Sequence, residues 1–446
     1  MKVRVKGPLA EVIEASEVEE DLVKNALSFP VSSMRIKYEP HKGRHVSWSS
    51  DKKEYFFENR YFPSPFLSLL PSSIKLEVED DTSECTPLPT DDLPYELKPF
   101  QRTALDNILS KRSALVVGPT SIGKTYLIGA LVYAFRNSKV LIVVHNKGLA
   151  KQNYERLRDW MPQLEFGRVF GGRKEFDSQI VVATFQSLRS LPFKADVVLV
   201  DECVHVLAPS YIQTLMHTEA SRWYGFTATP SGRSDRLDEK LKVLFRDRVD
   251  VADLSVGLEE KLLCPVDFYV LKYSNKRYPI PGWRLQDSNW IYQRFVALDQ
   301  DRNALIKLLC DLELQRTQKV VLVLVHRMNH LEQLKSLIPE SLTVSYKSKL
   351  EEREAVRKLE KGVLIATRVV EEGVDNHSIY SIINAACVRS QIAIIQRIGR
   401  GLRFEEGKRL AFFDIWDQFP PVLRSQGNSR IALYKRFGDV HVLDPA

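Results

Sequence analysis

Cysteine is scarce and unpatterned in this chain. Its 446 residues hold five, Cys85, Cys203, Cys264, Cys310 and Cys387, an odd number with no C-x-x-C pair among them. A disulfide framework needs paired, closely spaced cysteines and a zinc site needs clustered ligands, so neither is expected. No apolar run approaches membrane-spanning length, and Met1-Lys2-Val3-Arg4-Val5 opens no secretory signal pattern. Low-complexity tracts are missing as well. These absences point to a reducing, cytoplasmic setting with no membrane partner. Hydrophobic content of 44% and charged content of 27% suit a chain with well-filled cores, and the length suits two or three domains.

Net charge is +7, a weak bias towards an anionic partner. Residues 1–90 carry 12 Lys/Arg against 15 Asp/Glu, whereas the remainder carries 52 against 42. The positive excess therefore sits after residue 90.

Residues 1–75 mix short alternating stretches with aromatics and predict a small strand-containing accessory domain. Between residues 35 and 60 stand Arg35, Lys37, Lys42, Arg44, Lys52, Lys53 and Arg60, interleaved with Tyr38, Trp48, Tyr55 and Phe56. That mixture suits backbone contact to duplex nucleic acid. Glu77 to Glu84, with Pro87, Pro89 and Pro94 beyond, predicts an acidic linker. From about residue 91 β-branched runs alternate with helical stretches: Ala114–Val117, Val140–Val144, Ile180–Ala183, Val197–Val200 and Trp223–Thr227. A second series follows at Val320–Val325, Leu342–Ser345, Val363–Ala366, Ser381–Ala385 and Leu410–Ile415. The pattern predicts an α/β protein with two tandem parallel-sheet lobes, residues 91–255 and 256–446, behind an accessory domain of residues 1–90.

The strongest local pattern is Gly118-Pro119-Thr120-Ser121-Ile122-Gly123-Lys124-Thr125, with a predicted strand before it and a predicted helix after it. In that context the pattern is a phosphate-binding loop. Glycines let backbone N–H groups converge on phosphate oxygens, Lys124 can reach the β/γ-phosphates and Thr125 can hold Mg²⁺. Downstream, the run Val197–Val200 ends in Asp201-Glu202-Cys203-Val204-His205. Asp201 at such a strand end suits the same metal, and Glu202 suits orientation and deprotonation of an attacking water. Arg397, Arg400 and Arg403 sit three apart, which places them along one helix face or at a helix start, where three guanidiniums call for an anion.

Asp201-Glu202-x-x-His205 resembles the DEAD/DEAH-type box of superfamily 2 helicases, and the other motifs of that family stand in order over residues 91–440. Leu97-Lys98-Pro99-Phe100-Gln101 resembles the glutamine motif that reads adenine. Thr227-Ala228-Thr229-Pro230 resembles motif III. Leu364 to Asp375 resembles motif V, and Gln396-Arg397-Ile398-Gly399-Arg400-Gly401-Leu402-Arg403 resembles motif VI. The resemblance implies RecA-like lobes, with ATP and Mg²⁺ bound by Phe100, Gln101, Gly118, Ser121, Gly123, Lys124, Thr125, Gly373 and Asp375. It implies catalysis by Lys124, Asp201, Glu202, Gln396, Arg400 and Arg403, and coupling through His205, Thr227 and Thr229. It also implies a strand-binding groove lined by His145, Asn146, Lys147, Gly171, Gly172, Arg173, Thr184, Gln186, His326, Arg327, Thr367 and Arg368.

The Leu-x-Pro-aromatic-Gln stretch, Ala183 to Leu188, Thr-Ala-Thr-Pro and Val321 to Arg327 look similar to the group containing XPB-like helicases and the phage UvsW helicase. DEAD-box proteins normally carry Ser-Ala-Thr and a His-initiated motif VI, which this chain lacks. The expectation is a monomeric, ATP-dependent DNA helicase or translocase acting on forks and junctions in repair, recombination or replication, in the host cytoplasm if phage-encoded, with no small-molecule substrate beyond ATP. An RNA helicase, or a nucleotide-binding scaffold without unwinding activity, is the alternative. Lys272 to Arg284 interleaves basic and aromatic residues and suits a base-stacking hairpin or a packed connector.

Overall fold

Apolar runs of five residues become central strands of two parallel sheets. The structure is a computed structural model. It describes all residues except 7–8, 40–42, 56–59, 83, 120–121, 189–192, 205–210, 212–213, 215–217, 229–240, 242–243, 275–279, 281, 283–286, 346, 368–375, 388–397, 400 and 445–446, and describes the backbone alone at 9, 29–39, 43–55, 65, 254, 350 and 353. The chain divides into one unit of Met1–Ser33 with Trp48–Asp253 and a second of Met34–Ser47 with Leu254–Ala446.

The chain opens with strands β1 (Lys2–Lys6), β2 (Leu9–Glu14), β3 (Ser28–Glu39), β4 (Gly43–Tyr55), β5 (Tyr61–Pro63) and β6 (Glu77–Asp80). A four-stranded sheet runs β5-β2-β1-β6, and β3 pairs with β4 apart from it. Strand β1 is antiparallel to β2 and parallel to β6. The helix Glu17–Ala26 starts on a reciprocal capping box between Ser16 and Glu19. Glu77–Asp80, expected in an acidic linker, is thus an edge strand, with its carboxylates turned to cations: Lys2 meets Glu79 at 2.6 Å. Side chains of the basic and aromatic stretch before Arg60 lie outside the described residues; Arg60 itself pairs with Glu20 at 3.2 Å.

The lobe that follows contains β7 (Ser113–Val117), β8 (Val140–Val144), β9 (Phe166–Val169), β10 (Ile180–Thr184), β11 (Phe193–Lys194), β12 (Val197–Asp201), β13 (Thr218–Glu219), β14 (Arg222–Thr227) and β15 (Asp247–Asp250). Seven of them form a sheet in the order β15-β7-β14-β12-β8-β10-β9, and every pairing in it is parallel. Strands β8, β10 and β12 are buried at all five positions, as a sheet covered on both faces requires.

The small sheet is built into this lobe. Val3, Val5, Val12, Phe62 and Phe66 belong to one continuous apolar cluster with Leu115, Leu141, Val198, Trp223 and Phe245. Arg222 Nε donates to the Cys85 carbonyl at 2.7 Å, and Leu88 N donates to Ala134 O at 2.7 Å. Each fully buried Val, Leu or Phe contributes about 1.5–3 kcal/mol. A chain beginning at Asp91 is therefore expected to melt well below the full-length protein or to be insoluble, which thermal unfolding measures.

The second unit contains β16 (Val266–Tyr273), β17 (Val320–Leu324), β18 (Leu342–Val344), β19 (Gly362–Ala366), β20 (Ile379–Asn384), β21 (Leu410–Asp417) and β22 (Asp439–Leu443), ordered β18-β19-β17-β20-β21-β16-β22 and again parallel throughout. Its core holds two ion pairs taken wholly out of water, Arg302–Asp417 at 2.9 Å and Arg430–Asp414 at 2.7 Å. Asp414 also accepts from Tyr434 Oη and Asn384 Nδ2, so each buried charge is met by several hydrogen bonds. Lys272 and Tyr273 end β16, whereas most of Asn275–Arg284 lies outside the described residues.

Candidate nucleotide site and strand-binding loops

Register brings distant stretches to one edge. Thr227 pairs with Val117, Phe226 with Asp201 and Thr184 with Val144, so β7, β14, β12, β8 and β10 all end together. The carboxyl edge of a parallel sheet is where open α/β folds bind ligands. Gly118, Asp201, Glu202, Thr227, His145 and Thr184 stand along it.

Two glycines of the loop are demanded by space. A Cβ on Gly118 would lie 2.9 Å from Ile122 Cγ2 and 3.2 Å from Val251 Cβ. Gly123 has φ +91°, a left-handed backbone, and a Cβ there would strike the Gln101 amide. From Gly123 the helix Lys124–Ala134 begins, aiming its free N–H groups and positive dipole end at the loop. Lys124 Nζ donates to the carbonyls of Gly118 at 2.9 Å and Pro119 at 3.0 Å, which holds the ammonium inside the loop. Burial pulls its pKa down, while the charges of Glu202 and Asp201 push it back up. Gly118 N donates to Thr227 O at 3.1 Å, tying the loop to the motif III strand.

Gln101, expected to face a base, is engaged within the protein. Its Oε1 accepts from Lys98 N at 3.0 Å, closing the start of the helix Pro99–Leu109, and its Nε2 donates to Ile122 O at 3.0 Å. The amide nitrogen thus braces the phosphate loop and the amide oxygen closes the helix start, leaving one donor and one acceptor position of the amide. Phe100 is half-buried beside it.

Asp201 is 7% exposed at the end of β12. One carboxylate oxygen accepts from Glu202 N at 3.0 Å and the other from Asn153 Nδ2 at 3.1 Å. Glu202 has φ +53°, so the chain turns sharply as it leaves the strand; a non-glycine residue in this region is strained, and such strain concentrates at functional sites. The next thiol, Cys203, is fully buried, and burial raises its pKa well above the usual range. It is packing, not a nucleophile.

Asn153 carries no motif signature. It projects from the helix Lys147–Trp160, is 2% exposed, and fixes the rotation of the Asp201 carboxylate. Partners that orient a metal-binding carboxylate are commonly worth about 10–100-fold in activity. Asn153→Leu, close in volume but without the donor, is expected to lower ATP turnover by about tenfold. Steady-state ATPase assays check this, with thermal unfolding as the control for folding.

A divalent cation fits this donor set. Thr125 lies in the first helical turn after β7 and Asp201 at the end of β12, with β14 between those two strands, and both Asp201 oxygens keep a lone pair. Among the described residues no group of three or more His, Cys, Asp or Glu could hold a metal alone. A cation here would depend on phosphate oxygens and water for its other ligands, which is the habit of Mg²⁺.

The strand-groove residues divide. Gly171 (φ +63°) and Gly172 (φ +88°) need glycine for their backbone, and a Cβ on either would meet open space. With exposed Arg173 they form an accessible basic turn. Lys147 is exposed too. Asn146 caps its helix, Oδ1 accepting from Leu149 N at 2.8 Å, and its amide contacts His145 Nε2 at 3.0 Å. Thr184 donates its hydroxyl to Ser187 at 2.9 Å. Gln186 gives its amide to His145 O at 3.1 Å and Tyr211 Oη at 2.7 Å, so both N–H groups work inside the protein.

In the second lobe, His326 N donates to Tyr292 Oη at 3.2 Å, and the Arg327 guanidinium lies 5.2 Å over the Tyr292 ring while reaching Asn289. Thr367 N donates to Val344 O at 3.0 Å, and its buried hydroxyl has no hydrogen-bond partner among the described residues. Gly401 is packed so closely on Leu410 that a Cβ would overlap it. Arg403 bridges to Leu263 and sets Nη1 2.7 Å from His377 Nε2. Ser121, His205, Thr229, Arg368, Gly373, Asp375, Gln396, Arg397 and Arg400 lie outside the described residues.

Two family models match the chain: "Type III restriction enzyme, res subunit" over residues 94–232 and "Helicase conserved C-terminal domain" over residues 301–405, together more than half of it. The chain is 24% identical over 411 residues to the DNA 3'-5' translocase XPB2 of Sulfurisphaera tokodaii, covering 82% of this chain and 91% of that protein. It is 23% identical over 360 residues to a protein named as a helicase from Sulfolobus islandicus filamentous virus, covering 71% of this chain. The chain spans 63% of that viral relative, under two thirds of its length. Among solved structures, S. cerevisiae Dbp5 bound to RNA and ADP BeF3 superposes with a TM-score of 0.55 at 14% identity, covering 78% of this chain and 94% of that one, which is a likeness of fold. With the loop, the Asp-Glu box and the two parallel lobes in family order, the chain belongs to the superfamily 2 helicases of the XPB-like type.

Proposed function

We propose that this protein is an ATP-dependent DNA helicase or translocase that remodels forked and junction DNA. The observation that carries the reading is the shared carboxyl edge of one sheet, where a phosphate loop, an Asp-Glu box and two loops suited to phosphate contact meet. Lys124 and the loop N–H groups bind the β- and γ-phosphates of ATP. Thr125 and Asp201 hold Mg²⁺, which supplies neutralisation of phosphate charge when bound. Glu202 orients the attacking water and takes its proton. Backbone N–H groups, Lys147 and the Gly171–Arg173 turn grip a strand through its phosphates, contacts that carry no sequence information. Residues 1–90 add affinity for duplex arms. The protein acts as a monomer in the cytoplasm.

One assay tests the reading: ATP hydrolysis and strand unwinding compared across single strand, duplex, fork, four-way junction and RNA. The expected order places forked and four-way DNA highest, with stimulation falling steeply as salt rises. Greatest stimulation by RNA would make it an RNA helicase, and ATP binding without hydrolysis would leave a scaffold; either result overturns the proposal.

A further inference from the structure

We propose that Tyr292 and Asn289 are positioning residues that preset the Arg327 guanidinium for a phosphate of the bound strand; the proposal rests on the function just proposed. All three residues lie in the second lobe and touch one another directly. The guanidinium sits 5.2 Å over the Tyr292 ring, and its Nη2 donates to Asn289 Oδ1. Tyr292 Oη accepts from His326 N at 3.2 Å, so the same tyrosine holds the backbone from which Arg327 departs. Asn289 and Tyr292 share one short helix, Ser288–Tyr292. That helix therefore fixes the loop after β17 both by its backbone and by the charged head of Arg327.

The tyrosine is itself tied to the core. It is 7% exposed, and its hydroxyl lies 3.2 Å from His330 Nδ1. His330 Nε2 lies 3.0 Å from Asn303 Oδ1, and Asn303 Nδ2 donates to Ala297 O at 3.0 Å. The amide oxygen can only accept, so Nε2 carries the ring proton and Nδ1 accepts from the tyrosine. His330 is fully buried; burial, and then the charge of Arg302, hold its pKa well below the usual range, which keeps the ring neutral with that one proton. Each step from His326 N to Ala297 O thus has one donor and one acceptor, and a matched buried network is rigid.

A rigid mount under a half-buried arginine suits binding. Asn289 is exposed, and a guanidinium carries five N–H donors in a plane, more than one amide oxygen can take. Leu324 pairs with Ala366, so His326–Arg327 and Thr367, with its buried hydroxyl, leave neighbouring strands at the carboxyl edge of the second sheet. An arginine that grips a phosphate gives up rotamer freedom, and holding it beforehand reduces that loss.

Affinity for a single-stranded DNA oligonucleotide of mixed sequence is measured by fluorescence anisotropy at several salt concentrations, on full-length wild type and variants. Arg327→Ala is expected to weaken binding and to flatten its salt dependence by about one phosphate contact. Asn289→Ala, at an exposed position, is expected to weaken binding about threefold, with melting temperature and ATPase without nucleic acid unchanged. Tyr292→Phe keeps the ring under the guanidinium but releases the loop backbone, and is expected to weaken binding whatever its effect on melting. In the Arg327→Ala background neither change should weaken binding further, because no guanidinium remains to be held. Wild-type affinity in Asn289→Ala or Tyr292→Phe, a loss in either that persists undiminished without Arg327, or wild-type affinity and salt dependence in Arg327→Ala overturns the proposal while leaving the helicase reading intact. A wild-type protein that binds no nucleic acid overturns both.

Discussion

Glu202→Gln is expected to bind ATP with close to wild-type affinity and to hydrolyse it about 10²–10⁴-fold more slowly, the usual contribution of a positioned general base. The amide keeps the shape of the side chain but cannot take a proton from water. The backbone at φ +53° is unaffected by the change, so the turn that leaves β12 is preserved. Lys124→Ala is expected to abolish hydrolysis for a different reason: it deletes the cation held 2.9–3.0 Å from two loop carbonyls, and with it affinity for the β/γ-phosphates. Nucleotide binding measured by fluorescence and turnover measured separately distinguish the two. Near-wild-type turnover in Glu202→Gln would remove Glu202 from the role of base.

The second large effect is expected in motif VI. Arg400→Ala and Arg403→Ala should each lower turnover by about 10³-fold or more while leaving most of the ATP affinity, because an arginine that meets charge developing at the γ-phosphate acts in the transition state. For Arg403 the structure adds a condition. Its guanidinium lies 2.7 Å from His377 Nε2, so reaching a phosphate means giving up that contact. His377→Ala is then expected to remove that contact, with turnover unchanged or raised. A loss of ATP affinity in Arg403→Ala in proportion to the loss of rate would make it a ground-state contact instead.

Much of the fold was legible. Val140–Val144, Val197–Asp201 and Val320–Leu324 are continuous apolar runs because a parallel strand covered on both faces has no polar side to show. The strands that sequence reading missed break this pattern. Phe166–Val169 and Asp247–Asp250 lie at the two edges of their sheet; the first is a short run interrupted by Gly167 and Arg168, and in the second Asp247, Arg248 and Asp250 are exposed. Val266–Tyr273 alternates buried and half-buried positions, and Asp439–Leu443 is an exposed edge strand. Glu77–Asp80 looked like a linker for the same reason: its acidic side chains point outward from an edge, and only its backbone, paired with β1, makes it a strand.

Within the site, the sequence alone determined the parts whose chemistry is local. The loop Gly118–Thr125, its flanking strand and helix, and the Asp201-Glu202 pair follow from short-range backbone requirements that neighbouring residues set. The tertiary structure alone decided which distant side chains meet them. Asn153 reaches Asp201 across 48 positions, Gln101 braces Ile122 across 21, Gln186 joins His145 to Tyr211, and the amino-terminal sheet shares its apolar cluster with the lobe. Those pairings depend on the order and register of parallel strands joined by helical crossovers, and no spacing along the chain encodes strand order or register.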